Sequence, residues 1–181
     1  MAGRSRHEHA WIRGAQAGSA ADLERLFRHH WPLAQRAAYL VVHDAAAAED
    51  IAQEAFLAAV RALDRFDRRR PFGPWLHRIV VNRAIDWARA RALRAEVSPD
   101  GLPELPAAVE ARRGIESEAG ALAAGLAALS PEHRAVIVLR HLLDYTPGEI
   151  AELLELPRGT VNSRLRRGLD QLRETIGMEL R

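Results

Sequence analysis

Between Asp144 and Arg173 the chain reads DYTPGEIAELLELPRGTVNSRLRRGLDQLR, a pattern that admits few folds besides two helices joined by a tight turn. Thr146 is suited to cap the first helix, Pro147 to its first position, and Glu149 completes a capping box with Thr146. Ile150, Ala151, Leu153 and Leu154 are the apolar residues of that helix. After a Glu155-Leu156-Pro157 turn, Val161, Leu165, Leu169 and Leu172 fall at i, i+4, i+8 and i+11 and form a stripe fit for burial. Arg158, Thr160, Asn162, Ser163, Arg166 and Arg167 remain outside it. In a helix-turn-helix the second helix enters the major groove of DNA with its N-terminal residues on base edges. Arg and Asn there make bidentate contacts to guanine and adenine. These six residues are the expected DNA-reading surface, since cap, turn and basic second helix coincide.

Charge is distributed unevenly along the 181 residues, although the net charge is only +2. Ten arginines between Arg61 and Arg94 stand against Asp64, Asp67 and Asp86. From Ala95 to Ala121, six acids outweigh Arg112 and Arg113, and a second basic block, Arg158 to Arg173, follows. Two basic regions separated by an acidic one suggest two nucleic-acid contacts joined by a segment that avoids DNA. Every basic residue other than histidine is Arg, a bias expected of a GC-rich coding sequence. Cysteine is absent, which excludes disulfides, thiol catalysis and Cys-based zinc sites. No apolar run approaches the roughly 20 residues that span a bilayer, and the N-terminus lacks a signal-peptide core. A cytoplasmic protein without membrane insertion is expected.

The pattern along the chain predicts an all-α fold: two small helical domains joined by a flexible linker, the second containing the helix-turn-helix. Residues 1–20 read as a mobile tail. The first domain spans 21–94, with Asp22 capping a first helix and Pro32 starting or kinking its continuation. Asp44 caps the next, which turns Ala52, Ala55, Phe56, Ala59, Val60 and Leu63 inward. The loop Phe66 to Pro74 precedes a helix from Trp75 to about Leu93 that buries Leu76, Ile79, Val80, Ala84 and Trp87. Arg78, Asn82 and Arg89 lie nearly in line on its other side. The linker is residues 95–120, Pro-punctuated and acidic, with a weak helix from Val109 to Glu118. The second domain is 121–177, and Ser130-Pro131-Glu132 opens a helix before the helix-turn-helix.

Three stretches, in this order, resemble the extracytoplasmic-function (ECF) sigma factors of bacterial RNA polymerase. AEDIAQEAFLAAVRALDRF, from Ala48, is similar to the helix with which that family grips the β′ clamp. FGPWLHRIVVNRAIDWARAR, from Phe72, is similar to its −10 element, and Leu129 to Arg173 to its −35-binding domain. The resemblance implies core polymerase as partner, through the β′ clamp and β flap, with promoter DNA and an anti-sigma factor. It implies no cofactor and no enzymatic activity, the polymerase supplying the chemistry. The acidic, amide-bearing face Glu49, Asp50, Gln53 and Glu54 fits a protein partner, because DNA phosphates repel carboxylates. Arg68, Arg69, Arg70, Arg78, Asn82 and Arg89 are the expected −10 contacts. Trp75 and Trp87 fall near the apolar stripe and read as core rather than as base-stacking rings. Three departures from the family are visible, the first being the loop Arg68-Arg69-Arg70-Pro71, more basic than the family's usual small polar loop, so that the −10 preference does not transfer. Glu155 occupies a turn where the family has Gly, and must adopt a geometry Gly takes more easily. Asn162 stands where a basic residue is common, so the inherited −35 preference does not transfer.

Two other functions compete. A helix-turn-helix regulator outside the polymerase would need a receiver or ligand domain in front, and the first domain is helical and basic. A metal-dependent nuclease would need a ligand cluster. His7 with His9, and His29 with His30, do not share helical faces, and no grouped carboxylates complete a site.

Overall fold

Ser19 and Asp44 set where two long chain segments of the first domain become helical. Ser19 Oγ accepts the Asp22 N–H at 3.3 Å, and Asp44 Oδ1 accepts the Ala47 N–H at 3.0 Å. Each satisfies a donor that a helix start leaves open. The computed structural model describes residues 2–97 and 118–179. The described residues form eight α-helices, one 3₁₀ turn (Leu63–Arg65) and no strand. In chain order the helices are α1 Ala2–Gln16, α2 Ala20–Val42, α3 Ala45–Ala62, α4 Phe72–Val97, α5 Glu118–Ala128, α6 Pro131–His141, α7 Pro147–Leu154 and α8 Arg158–Glu179.

The expected tail at 1–20 is a correction. Residues 2–16 form α1, packed along α2 with Ile12 only 1% exposed. Its anchors are polar: Gln16 Nε2 donates to Leu63 O at 2.8 Å and Phe66 O at 3.1 Å, and Glu8 meets His30 at 2.8 Å. A helix held this way shows little apolar periodicity. The cap of α2 is also corrected, since Ser19 caps it and Asp22 sits in the first turn, paired with Arg25. Pro32 lies inside α2, exposed, and the helix continues through it. Helix α4 begins at Phe72, earlier than expected, because Gly73 and Pro74 occupy a first turn that needs no intrahelical N–H partner. The expected linker lies mostly outside the described residues, and so does most of the weak helix within it.

In the first domain Leu26, Ala34, Ala38, Val41, Ala55, Leu76, Val80 and Val81 are buried where α2, α3 and α4 meet. In the second, Val136, Leu139, Ile150 and Val161 are fully buried among α5–α8. Burial of each such Leu, Ile or Val stabilises by about 1.5–3 kcal/mol. The domains also touch: α6 packs on α2 and α4, and α7 on α4. Among the described residues no helix is long and apolar enough to cross a membrane.

Candidate nucleic-acid interface

The start of α7 is built by the expected capping box. Thr146 N donates to Glu149 Oε2 at 2.7 Å, and Glu149 N donates to Thr146 Oγ1 at 3.3 Å. The Thr146 hydroxyl and backbone bonds hold the Glu149 carboxyl below its usual range. Glu155 ends α7 in the left-handed region, at φ 55° and ψ 43°, the geometry a glycine would adopt without strain. Leu156 N then donates to Ala151 O at 2.9 Å, which fixes the angle at which α8 departs.

On α8, Val161, Leu165 and Leu172 are buried and Leu169 half-buried, as their spacing predicts. Arg158, Asn162, Arg166 and Arg167 are exposed, and Asn162 and Arg166 are one turn apart on one face. The three arginines make no ion pair among the described residues. Thr160 and Ser163 are half-buried, and the Ser163 hydroxyl donates to Thr160 O at 2.9 Å. Ser163 therefore turns its proton inward along the helix, leaving only acceptor capacity for a ligand.

The basic elements of the first domain are arranged differently from a row of free arginines. Arg68 and Arg70 are exposed beside α4, while Arg69 is bound to Asp67, Nε to Oδ1 at 3.1 Å. That bond and the Arg69 backbone N–H hold the Asp67 carboxyl below its usual range. On α4, Arg78 and Arg89 are exposed and Asn82 half-buried. Arg78 pairs with Glu155 and Arg89 with Glu132 at 2.6 Å, so both cations are met by carboxylates of the second domain. Sequence patterning offered no sign of these pairs, whose members are 77 and 43 residues apart. Arg70, Trp75 and Arg78 face Tyr145, Glu149 and Leu153 across a cleft of about 500 Å³ between the domains. Trp75 packs on Phe66 and Phe72, with ring centroids 4.6 and 5.5 Å away, and Trp87 lies under Arg91.

Glu49, Asp50, Gln53 and Glu54 are all exposed on α3, but they border two different hollows. Asp50 and Glu54 face Arg83, Asp86 and Trp87, with Glu54 bonded to Arg83 at 2.7 Å. Glu49 and Gln53 flank an apolar groove formed by Phe27, Trp31, Phe56, Leu57 and Val60. Val60, expected to face inward, is 40% exposed, and Leu57 is 50% exposed. The i, i+3 pair of Leu57 and Val60 on the acidic side of α3 is the sequence signal for this groove.

Two histidines sit in the contact between the domains. His77 Nδ1 is 2.8 Å from Tyr145 Oη, and its Nε2 is buried without a partner. His43 caps α2 at φ 52°, also with Nε2 buried and unpartnered, near Arg134 and the Tyr39 ring. Burial first, then Arg134, lowers the His43 pKa to about 4; burial first, then His30, against Glu8, lowers that of His77 to about 4. Unfolding restores an ordinary value near 6.5. The unfolded chain then binds more protons between those limits, so stability is complete above about pH 6.5 and falls as the solution is acidified towards pH 4. Lowering the pH from 7.5 to 5 should cost about 2 kcal/mol per histidine. Urea midpoints of the wild type and of His43→Phe with His77→Phe check this: equal acid sensitivity of the two proteins would contradict it. Elsewhere, His30 is bound to Glu8 and His7 stacks near Trp11. Among the described residues, no three His, Asp or Glu side chains are grouped to hold a metal.

Comparison with known families matches residues 26–94 to Sigma-70 region 2 and residues 125–174 to Sigma-70, region 4. The chain is 34% identical over 171 residues to the ECF RNA polymerase sigma factor SigL of Mycobacterium tuberculosis, covering 92% of this chain and 96% of the relative. It is 36% identical over 157 residues to the ECF RNA polymerase sigma factor SigE of Mycolicibacterium smegmatis, covering 84% of this chain and 61% of the relative. Among solved structures, CnrH in complex with the cytosolic domain of CnrY has a TM-score of 0.69 at 26% identity, over 95% of this chain and 98% of that one.

Proposed function

The chain belongs to the ECF group of sigma-70 factors, which direct RNA polymerase in transcription initiation, and on that premise we propose how its surfaces divide the work. Helix α8 reads the −35 element: Asn162, Arg166 and Arg167 meet base edges, Thr160 and Ser163 flank them, and Arg158 holds phosphate at the helix start. Arg68, Arg69 and Arg70 with Arg78, Asn82 and Arg89 hold the −10 strand, where a basic, partly aromatic surface suits single-stranded DNA. Glu49, Asp50, Gln53 and Glu54, with the apolar groove beside them, meet the β′ clamp. The apolar hollow that Leu122, Leu142 and Leu169 of the second domain form together with Leu40 of α2 meets the β flap. An anti-sigma factor would compete for such apolar surfaces. The protein works in the cytoplasm, and the polymerase carries the chemistry.

The observation that carries the −35 assignment is the row Arg158, Asn162 and Arg166, exposed on a helix whose opposite stripe is sealed by Val161 at 0% exposure. Run-off transcription with core polymerase on a randomised promoter library tests it. Asn162→Arg is expected to move one preferred −35 base from adenine to guanine, at about 1–3 kcal/mol of discrimination. Arg158→Ala should weaken all promoters alike and flatten the salt dependence. An unchanged base preference for Asn162→Arg would show that this side chain does not read sequence.

A further inference from the structure

The loop after α3 carries Arg68, Arg69 and Arg70, and its own hydrogen bonds are short-range. Phe66 N donates to Leu63 O at 3.0 Å, Arg70 N to Asp67 O at 2.9 Å, and Arg69 N to Asp67 Oδ1 at 3.0 Å. Such bonds shape the turn without setting it on the domain. Two longer-range attachments set it. One is apolar: Phe66 is 8% exposed, its ring centroid 5.7 Å from that of Phe72 and 4.6 Å from that of Trp75. The other is polar and comes from α1, where Gln16 Nε2 donates to Leu63 O at 2.8 Å and to Phe66 O at 3.1 Å. A carboxamide nitrogen has two N–H groups, one for each end of this bend. We propose that Gln16 is a positioning residue for −10 strand binding, its carboxamide fixing the loop in the orientation that presents Arg68 and Arg70 to DNA phosphates. The inference rests on the proposed assignment of those arginines to the −10 strand.

Two further observations give the pin this role. The first is that α1 holds Gln16 rigidly. Ile12, one turn before it, is 1% exposed, and Glu8, a turn earlier again, meets His30 at 2.8 Å. A Cβ added at Gly14 would lie 1.9 Å from Asp22 Oδ2, so α1 rests directly on the first turn of α2. The second is that the loop has little else to hold it. Asp67, Arg68, Arg69 and Arg70 are all exposed, so no packing of their side chains fixes the turn. Three consecutive cations repel one another, and among the described residues only Arg69 is met by a carboxylate, that of Asp67. A loop ordered only on contact with DNA loses that ordering free energy from its affinity, whereas a loop already set binds the strand more tightly. Gln16 touches no DNA in this scheme. It acts through the two carbonyls that lead into the arginines.

The test uses the full chain assembled with core polymerase on a promoter selected by the wild type. Bound promoter is measured by gel shift, and melted promoter by permanganate reactivity of unpaired thymines at −10. Gln16→Met keeps side-chain length and removes the donors. It should co-elute with core normally, yet lower the ratio of melted to bound promoter about three- to tenfold, as the loss of one or two hydrogen bonds predicts. Arg68→Ala with Arg70→Ala should lower the same ratio, and adding Gln16→Met to that pair should change it further by no more than about twofold, because the three act as one unit. Val41→Ala, a cavity in the core away from the loop, is the control for lost stability. A normal ratio for Gln16→Met, with the alanine pair still defective, overturns the positioning role and leaves the DNA assignment standing. An alanine pair without effect overturns the DNA assignment and the positioning role with it. A full additional loss on top of the alanine pair, or an equal loss in Val41→Ala, also overturns the positioning role. Gln16→Asn, which keeps the carboxamide but shortens its reach by a methylene, is judged by the same outcomes if the methionine variant fails to co-elute with core.

Discussion

Replacing Arg134 by methionine is expected to destabilise the protein by about 2–4 kcal/mol, the net of two opposed effects. The guanidinium is buried, 8% exposed, and donates to three carbonyls: Val41 O, Ala127 O at 3.0 Å and Leu129 O at 2.7 Å. These carbonyls lie at or just beyond the C-terminal ends of α2 and α5, where helices leave acceptors unpaired and a cation is favoured. Methionine fills similar volume but strands all three acceptors. Against that loss, burial of the cation is itself unfavourable, which lowers the Arg134 pKa to about 10. It remains charged at neutral pH, so removal relieves part of the cost and keeps the net below the sum of three bonds. Chemical denaturation of the purified full chain measures the effect. A second readout separates this account from a general packing defect. Arg134 is the charged group that adds to burial in depressing His43, so an NMR titration should find the His43 pKa raised in Arg134→Met. A destabilised variant with His43 titrating as before would mean that the arginine acts through packing alone.

Asp50→Arg combined with Glu54→Arg should weaken binding to core polymerase on the order of 100-fold or more, enough to abolish co-elution. Both side chains are exposed on α3 and neither contributes to the core. Glu54 does pair with Arg83 at 2.7 Å, so its reversal sets two cations together, but at 63% and 41% side-chain exposure that repulsion costs little. Circular dichroism should therefore show unchanged helix content. The adjoining groove supplies a comparison: Leu57→Ala with Val60→Ala removes apolar contact area without altering charge, and should weaken the same complex less. Normal co-elution of the charge-reversed protein would remove α3 from the polymerase interface.

Local chemistry was enough to place the helix-turn-helix. The Thr146–Glu149 box, Pro147, and the stripe of Val161, Leu165 and Leu172 all act within one or two helical turns, so their consequences appear in the string of residues itself. The strain assigned to Glu155 was legible for the same reason, and the structure places it at φ 55°. The boundaries that shifted were those decided at longer range. Helix α1 has few apolar residues, and its order depends on Gln16 reaching carbonyls 47 and 50 residues away. Val60 fits an inward stripe by spacing, yet α2 leaves it uncovered.

The sequence by itself determined the all-α class, the helix-turn-helix, the basic and acidic blocks and the family, because capping, periodicity and motif order are carried by neighbouring residues. Tertiary structure alone decided which of the marked charges are free. Arg158, Asn162 and Arg166 stand in solvent, while Arg78 and Arg89 face Glu155 and Glu132, and Arg134 is sealed against the end of α2. An arginine reads the same in all three settings. Its partner is set by how two helical domains meet, and that depends on side-chain packing between segments up to 93 residues apart, a separation over which no local propensity acts.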